Sequence, residues 1–579
     1  MDVREVLSYA SPSPRVNRSH RSHVQPFVDE TDQQPEFKKP RPTDFTEPDV
    51  PSNNFERVSE ENGVSALAHL SAYDDLDENE TQSTTTVGAS QVDDSTIRRL
   101  TLLLEKRALS NQEARTKFPD QPKRFMQSEV DLQETLEEMQ ILAANPSLYP
   151  ELATQTRPLS LLLGLLAHEN TDISLSVIDL LHELLEVNGL NEAGPNRVNP
   201  LLDQLFSGQL IQLLMQNIAR LDETKRDEAD GVHKTLGIVE SLLDVRPEMN
   251  VTMSNQGLFS WLLRRIQRRP VFDQNKLYVS EILAILLQLD EANRRHLGEI
   301  DGIDILLQQL AVYKRHDPGT REEIELMHNL FDCLCSALML PENKDRFLKG
   351  EGIQLMNLML RERHMSRDSA LRVLDYALCL VPPSSANSSS QAAESDTSQR
   401  PTSTDPEAVV VANCSKFVEV LGLRTIFPLF MHSPRERVHL SKTTSASRDK
   451  QKSLGGPSAA EMEEHIINII GALLRHCPPA QKTRVLAKFV ENDHEKLDRL
   501  VELHIKYFER VKATDAAIQE AKEDTQRWLG YTPDDVEEEL ALERLSGGLL
   551  ALQVLDIIML EICVNGAASV SIFSPFIWL

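Results

Sequence analysis

Apolar residues recur along most of this chain at the three- and four-residue spacing of an amphipathic helix, and the predicted helices come in pairs. Six segments open on a small or turn residue and run into an apolar helix. They are "TRPLSLLLGLL" from Thr156, "SGQLIQLLMQN" from Ser207, "NQGLFSWLLRR" from Asn255, "IDGIDILLQQL" from Ile300, "GEGIQLMNLML" from Gly350 and "LGLRTIFPLFM" from Leu421. The intervals are roughly 50, 48, 45, 50 and 71 residues. The last interval contains a polar insert of about 26 residues, Pro382 to Glu407, without which it falls to about 45. Each of the first five segments is followed in register by a second helix: "SLSVIDLLHELLEV", "HKTLGIVESLLDV", "LYVSEILAILLQL", "MHNLFDCLCSALML" and "SALRVLDYALCLV". Their wide apolar stripes suit burial between neighbours in a stack. A period in the forties with two or three helices per unit is that of armadillo and HEAT arrays. The predicted fold class is therefore all-α, an armadillo/HEAT-type helical-repeat superhelix or α-solenoid. The recurrent glycine is expected to turn the chain tightly while the next helix packs closely.

The pattern also divides the chain. Residues 1–93 are rich in Ser, Pro, Asp, Glu and Thr, too polar to offset their ordering entropy, and are expected to form a disordered acidic tail. Within them "MDVREVLSY" reads as a short helix for a partner. "FKKPRP" carries the pattern of a nuclear import signal at Lys38, Lys39, Pro40 and Arg41, against the plain reading of a solvated basic cluster. Residues 94–155 read as an N-terminal helical cap and 156–440 as armadillo-type repeats interrupted by the insert 382–407. A loop is expected over 441–460, further helical repeats over 461–563, and an atypical apolar tail over 564–579.

Charge narrows the partners. With 89 acidic against 61 basic residues and a net charge of −28, direct nucleic-acid binding is not expected, because phosphate is repelled. Basic protein segments are the better match. The six cysteines sit mostly in apolar helical runs, as small core residues of a reducing compartment. The first twenty residues contain no apolar run of the secretory type. Neither phosphate-binding glycine loop is present, nor H-E-x-x-H. Cys333 and Cys335 beside His328 point to different faces of one helix, and His465, His476 and His494 lack a converging spacing. No metal, cofactor, catalytic residue or membrane span is expected.

One pattern is more pointed. The second helix of each unit carries a carboxylate at a similar place: Asp179 in "VIDLL", Glu240 in "IVESLL", Glu281 in "VSEIL", Asp332 in "LFDCL" and Asp375 in "VLDYA". On the last helix of an armadillo repeat these would form a ladder along the inner groove for an extended basic segment. Each partly exposed pair contributes about 0.2–1 kcal/mol, so five give a few kcal/mol. The plainer reading is that each carboxylate bonds a neighbouring helix N-terminus or faces solvent.

Longer stretches resemble a known family. "NQEARTKFPDQPKRFMQSEVDL", "DEADGVHKTLGIVESL", "VFDQNKLYVSEILAILLQ", "RFLKGEGIQLMNLMLRE", "LGLRTIFPLFMHSPR" and "KFVENDHEKLDRLVELH" are similar to the beta-catenin-like family of nuclear, spliceosome-associated armadillo proteins. The resemblance runs from about Ile97 to Cys563. It implies a nuclear scaffold without catalysis, associated with the nineteen complex, that binds basic, import-signal-like segments of splicing factors, notably the Myb-type factor of that complex. An import adaptor for basic cargo is the alternative, and a regulatory subunit of an enzyme a third reading. Against the adaptor, the chain lacks the Trp/Asn ladder of those proteins: its tryptophans are Trp261, Trp528 and Trp578. Self-association is left open. After Cys563 the chain departs from the family with "VNGAASVSIFSPFIWL". The leading reading is read-through at a gene end, the others a genuine end packed on the last repeat and a membrane anchor. Without the family's terminal helices the last repeat is expected to be uncapped and the chain poorly soluble.

Overall fold

The computed structural model describes residues 94–154, 156–268, 272–362, 364–380, 405–432, 458–523 and 532–566. The import-signal pattern at Lys38 to Arg41, the loop 441–457 and the end of the apolar tail lie outside them. Every regular element among the described residues is helical. Two helices, α1 (Asp94–Lys117) and α2 (Pro122–Met139), form the N-terminal cap. On α2, Phe125, Leu132, Leu136 and Met139 are buried at helical spacing and define one face. Asn111 fastens this cap to the first repeat, donating to Ser128 Oγ at 3.0 Å while its Oδ1 faces His168 Nε2 at 3.1 Å.

The repeats then follow, and most are three helices long. The third helices are α3 (Thr171–Leu184), α4 (Arg226–Val245), α5 (Gln274–Leu289), α6 (Arg321–Ala337), α7 (Ser366–Leu378) and α8 (Ala459–His476). Each packs on the next, with α2 before the row and α10 (Leu549–Asn565) after it. Their starts are set by short polar caps. Asn170, Asp273 and Thr320 accept a backbone N–H of the first turn, and Ser458 forms a reciprocal capping box with Glu461. A single apolar core runs along the row from Ile97 to Ile562, as expected of a stack in which each layer buries its face on the next.

The corner between first and second helices explains the recurrent glycine differently from the sequence expectation. The turn is made by the residue before it: Asp301, Glu351 and Leu421 have φ of 58°, 62° and 65°, in the left-handed region. Gln209 and Gly257 hold the same place in two other units, with φ of 61° and 103°. Gly302, Gly352 and Gly422 themselves begin or precede a right-handed helix, and their role is contact. A Cβ on Gly352 would overlap the Phe347 ring, one on Gly422 would lie 2.5 Å from Phe417 Cε1, and one on Gly302 would lie 2.8 Å from the Leu297 carbonyl. In each case the crowding side chain stands five residues earlier on the first helix, so the corner folds back onto its own helix.

A second repeated device is a set of buried asparagines on the first helices. Asn293 donates to Leu286 O and to Asn250 Oδ1, both at 3.0 Å. Asn343 donates to Ala337 O at 3.0 Å and Arg294 O at 2.8 Å, and Asn413 to Ala377 O at 3.1 Å. Each donates to a carbonyl at the end of the preceding third helix, where the helix's own N–H donors run out. An asparagine ladder is therefore present, but it stitches layers together inside the stack.

At the C-terminal end α9 (Glu495–Glu523) and α10 close the described array. Glu463 of α8, 4% exposed, accepts from Arg499 Nη2 at 3.2 Å and from Lys506, both on α9. Leu550, Leu560 and Val564 of α10 remain exposed, as do Ile505 and Phe508 of α9. Among the described residues no single helix is long and apolar enough to cross a membrane. All six cysteines are free thiols. Cys333, Cys335, Cys414 and Cys477 are buried, and Cys379 and Cys563 partly so.

Candidate functional site

The five carboxylates picked out by the sequence do lie on consecutive third helices, α3 to α7. They are not five equivalent open rungs. Asp179 accepts from Lys234 Nζ of α4 at 2.9 Å, and Lys234 also reaches Asp230 at 3.2 Å. Asp332 is ion-paired with Arg372 of α7; burial pushes its carboxyl up in pKa despite that pairing. Asp375 is 7% exposed and fully engaged: His465 Nδ1 lies at 2.7 Å, Asn468 Nδ2 at 3.2 Å and the Cys379 thiol at 2.9 Å. It fastens α7 to α8 and offers no free oxygen to an incoming chain. Apart from the Cys379 thiol, four residues on, the partners that close these rungs come from the following helix, 40 to 93 residues later in the chain.

The middle of the row is different. Glu240 of α4 accepts a hydrogen bond from the Tyr278 hydroxyl of α5, and neither it nor Glu281 has a cationic partner among the described residues. Glu281 has no hydrogen-bond partner there either. Its pKa is pushed up to about 7, first by burial and then by the negative charges of Glu325 on α6 and Glu240 on α4. The charges of Glu240 and Glu325, on the helices to either side, thus act on Glu281, and no cation among the described residues offsets them there. Glu325 escaped the sequence reading, because "REEIELMHN" places it among other exposed acids at the start of α6. Tyr278, His233 and His182 line the neighbouring part of the row. The His233 and Tyr278 rings lie 4.9 Å apart, and Gly237 leaves room between His182 Nε2 and the Tyr278 hydroxyl, where a Cβ would lie 2.8 and 3.4 Å from them.

No group of three His, Cys, Asp or Glu among the described residues is arranged to hold a metal ion. His328 faces Ser369 Oγ at 3.1 Å, and burial lowers its pKa to about 4, so it stays neutral at physiological pH. Burial likewise raises the Cys333 and Cys335 thiols, which leaves them protonated core residues.

Comparison with known proteins agrees with this architecture. The sequence model of the family described as catenin-beta-like, Arm-motif containing nuclear matches residues 71–395 and 404–572. Beta-catenin-like protein 1 of Homo sapiens is 48% identical over 472 residues, which cover 82% of this chain and 76% of that protein. The beta-catenin-like protein 1 homolog of Schizosaccharomyces pombe is 31% identical over 502 residues, covering 86% of this chain and 77% of that one. Among solved structures, a chain from a study of the interaction between cadherin and beta-catenin is 12% identical and covers 78% of this chain and 96% of itself, with a TM-score of 0.35. That likeness is too low to bear on function. By the family match and by identity over four-fifths of its length to a human relative, the chain belongs to the catenin-beta-like family of Arm-motif-containing nuclear proteins.

Proposed function

We propose that this protein is a non-catalytic scaffold of the spliceosome, associated with the nineteen complex. In this reading the row of third helices takes basic, import-signal-like segments of splicing factors, notably its Myb-type factor, during pre-mRNA splicing. No cofactor is required, and nucleic acid is reached through the partners, in keeping with the net charge of −28.

The observation that supports the reading is the unneutralised trio Glu240, Glu281 and Glu325. Carboxylates gathered without a counter-charge raise the energy of the empty protein, and an incoming Lys or Arg relieves it. The sign with pH follows. An unfolded Glu281 loses its proton near 4.5 and the folded one near 7, so in between the folded state holds more protons. Its contribution to stability therefore falls as pH rises from about 4.5 to about 7. Allowing for solvent around a half-buried group, the cost above pH 7 is about 1–2 kcal/mol.

Glu281→Gln is accordingly expected to raise the stability of the free protein at pH 8 while weakening a Lys/Arg-rich peptide roughly 3- to 10-fold. In the native chain peptide affinity should rise between pH 6 and pH 8, because the bound cation holds Glu281 ionised. Glu240 and Glu325 act on this group, and protonation of His182 nearby would also repel a basic peptide at low pH. The slope that disappears in Glu281→Gln belongs to Glu281, and the slope that remains belongs to other groups. Peptide titration by fluorescence anisotropy, with thermal melts of the same samples, reads both effects. Unchanged affinity in a folded Glu281→Gln variant would end this reading.

A further inference from the structure

The end of α8 carries a pair of thiols for which peptide binding has no use. Cys414 stands on the helix Pro406–Glu419, which packs on α7 and α8, and Cys477 is the residue on which α8 ends. The register between the two segments brings them together. Cys414 Sγ lies 3.7 Å from Leu378 O and 4.0 Å from Ala472 O, and the next residue, Ser415, accepts from Gln481 Nε2 at 2.7 Å. Ala472 and Gln481 bracket Cys477 along the chain, and the two thiols themselves share a hydrogen bond. Two free thiols in contact across a seam between helices stand one two-electron step from a disulfide.

The two are not interchangeable. Cys414 is fully buried, and its hydrogen bond to Cys477, together with burial, raises its pKa. Cys477 is 7% exposed, where the chain leaves α8. The hydrogen bond from Cys414 lowers its pKa against the effect of burial, and Lys482 adds to the lowering. Since the thiolate is the nucleophile, Cys477 is the attacking sulfur and Cys414 the one that resolves. The other thiols lack this arrangement. Cys333 and Cys335, two positions apart on α6, point to different faces of the helix. Cys379 donates to Asp375 at 2.9 Å, and burial with that carboxylate keeps it protonated.

We propose that Cys414 and Cys477 form a reversible redox site, which a low-molecular-weight disulfide such as oxidised glutathione converts into an intramolecular disulfide locking the helix Pro406–Glu419 to the end of α8. The Cys477 thiolate attacks one sulfur of glutathione disulfide, forming a mixed disulfide and releasing one glutathione thiolate. Cys414 then gives its proton to water and attacks the Cys477 sulfur, which releases the second glutathione. Two protein thiols are thereby oxidised and one glutathione disulfide is reduced. Cys477 meets the oxidant when the seam parts, and Cys414 reaches it as the seam recloses. The bond joins positions 63 residues apart, so it restricts the opened chain and holds the C-terminal layers together.

The full chain, equilibrated in mixtures of oxidised and reduced glutathione and quenched by alkylation, tests this through intact mass and peptide mapping. The native chain is expected to lose two hydrogens and yield a linked Cys414–Cys477 peptide pair, with its melting midpoint raised by a few degrees. Reduced glutathione should reverse both. Buried thiols pack as small apolar groups, so alanine is the replacement of choice. Cys414→Ala should hold glutathione on Cys477 as a mixed disulfide, because the resolving sulfur is gone. Cys477→Ala should leave Cys414 unmodified, and Cys563→Ala, on α10, should keep the link. If Cys414→Ala does not fold, the native chain and Cys477→Ala still decide the question. A glutathione adduct that persists on Cys477 of the native chain, a link formed only between other cysteines, or one formed only in urea would overturn the proposal.

Discussion

Glu463→Ala should cost about 3–5 kcal/mol in the C-terminal third of the array, because it strips a buried carboxylate from two cations. Glu463 is 6% exposed at its side chain and Arg499 12%, so solvent replaces little of what is lost. Arg499 would keep its bonds to Phe430 O at 3.3 Å and to Glu502 at 2.8 Å, but lose the charge that balances it in the layer between α8 and α9. In a stack whose layers touch only their neighbours, such damage stays local. Hydrogen exchange is therefore expected to speed up across α8, α9 and α10 while α3 to α6 keep their protection. The double variant Glu463→Met with Arg499→Met removes both charges and should recover much of the loss. Equal deprotection along the whole row would contradict this layer-by-layer account.

The largest effect on the repeat corners is expected at Phe347 and Gly352. Phe347 is fully buried and its ring rests on the bare α-carbon of Gly352. Phe347→Ala leaves a ring-sized cavity between two layers, at about 3–5 kcal/mol. Gly352→Ala should cost about 1–3 kcal/mol through overpacking, despite the roughly 1 kcal/mol that alanine gains over glycine in a helix. Joining Gly352→Ala with Phe347→Leu should cost less than the two separately, since the smaller side chain yields the space. At the preceding position the rule reverses. Glu351 holds the left-handed turn, so Glu351→Gly should change stability by less than about 1 kcal/mol. Equal tolerance of alanine at 352 and glycine at 351 would refute the division of labour between turn and contact. Urea melts of the five variants, Phe347→Leu alone included, measure it.

The contrast at this corner illustrates what a sequence tells and what it hides. The period was legible because each second and third helix buries a wide apolar stripe, as in "IDGIDILLQQL" and "MHNLFDCLCSALML". The short first helices were not, since "EANRRHLGE" and "PENKDRFLK" bury only a few side chains each. Their one fixed feature, the buried Asn293 and Asn343, reads as an ordinary polar residue until the carbonyls above it are seen. The carboxylates of the third helices were visible as a repeat, but their fates depend on the next layer. Arg372 closes Asp332, His465 and Asn468 close Asp375, and nothing among the described residues closes Glu281. Glu325 acts on Glu281 from the next helix without any mark in its own neighbourhood of the chain.

The thiols carry a last consequence. Cys333 and Cys335 lie on α6 between α5 and α7, Cys414 lies on the helix Pro406–Glu419, and Cys477 ends α8. Cys333 and Cys335 share one seam, and Cys414 and Cys477, which touch each other, share another farther along the row, so the molecule comes with its own pair of chemical stopwatches. The time each sulfur takes to meet a reagent in solution records how often its seam parts, with no label added and no residue changed.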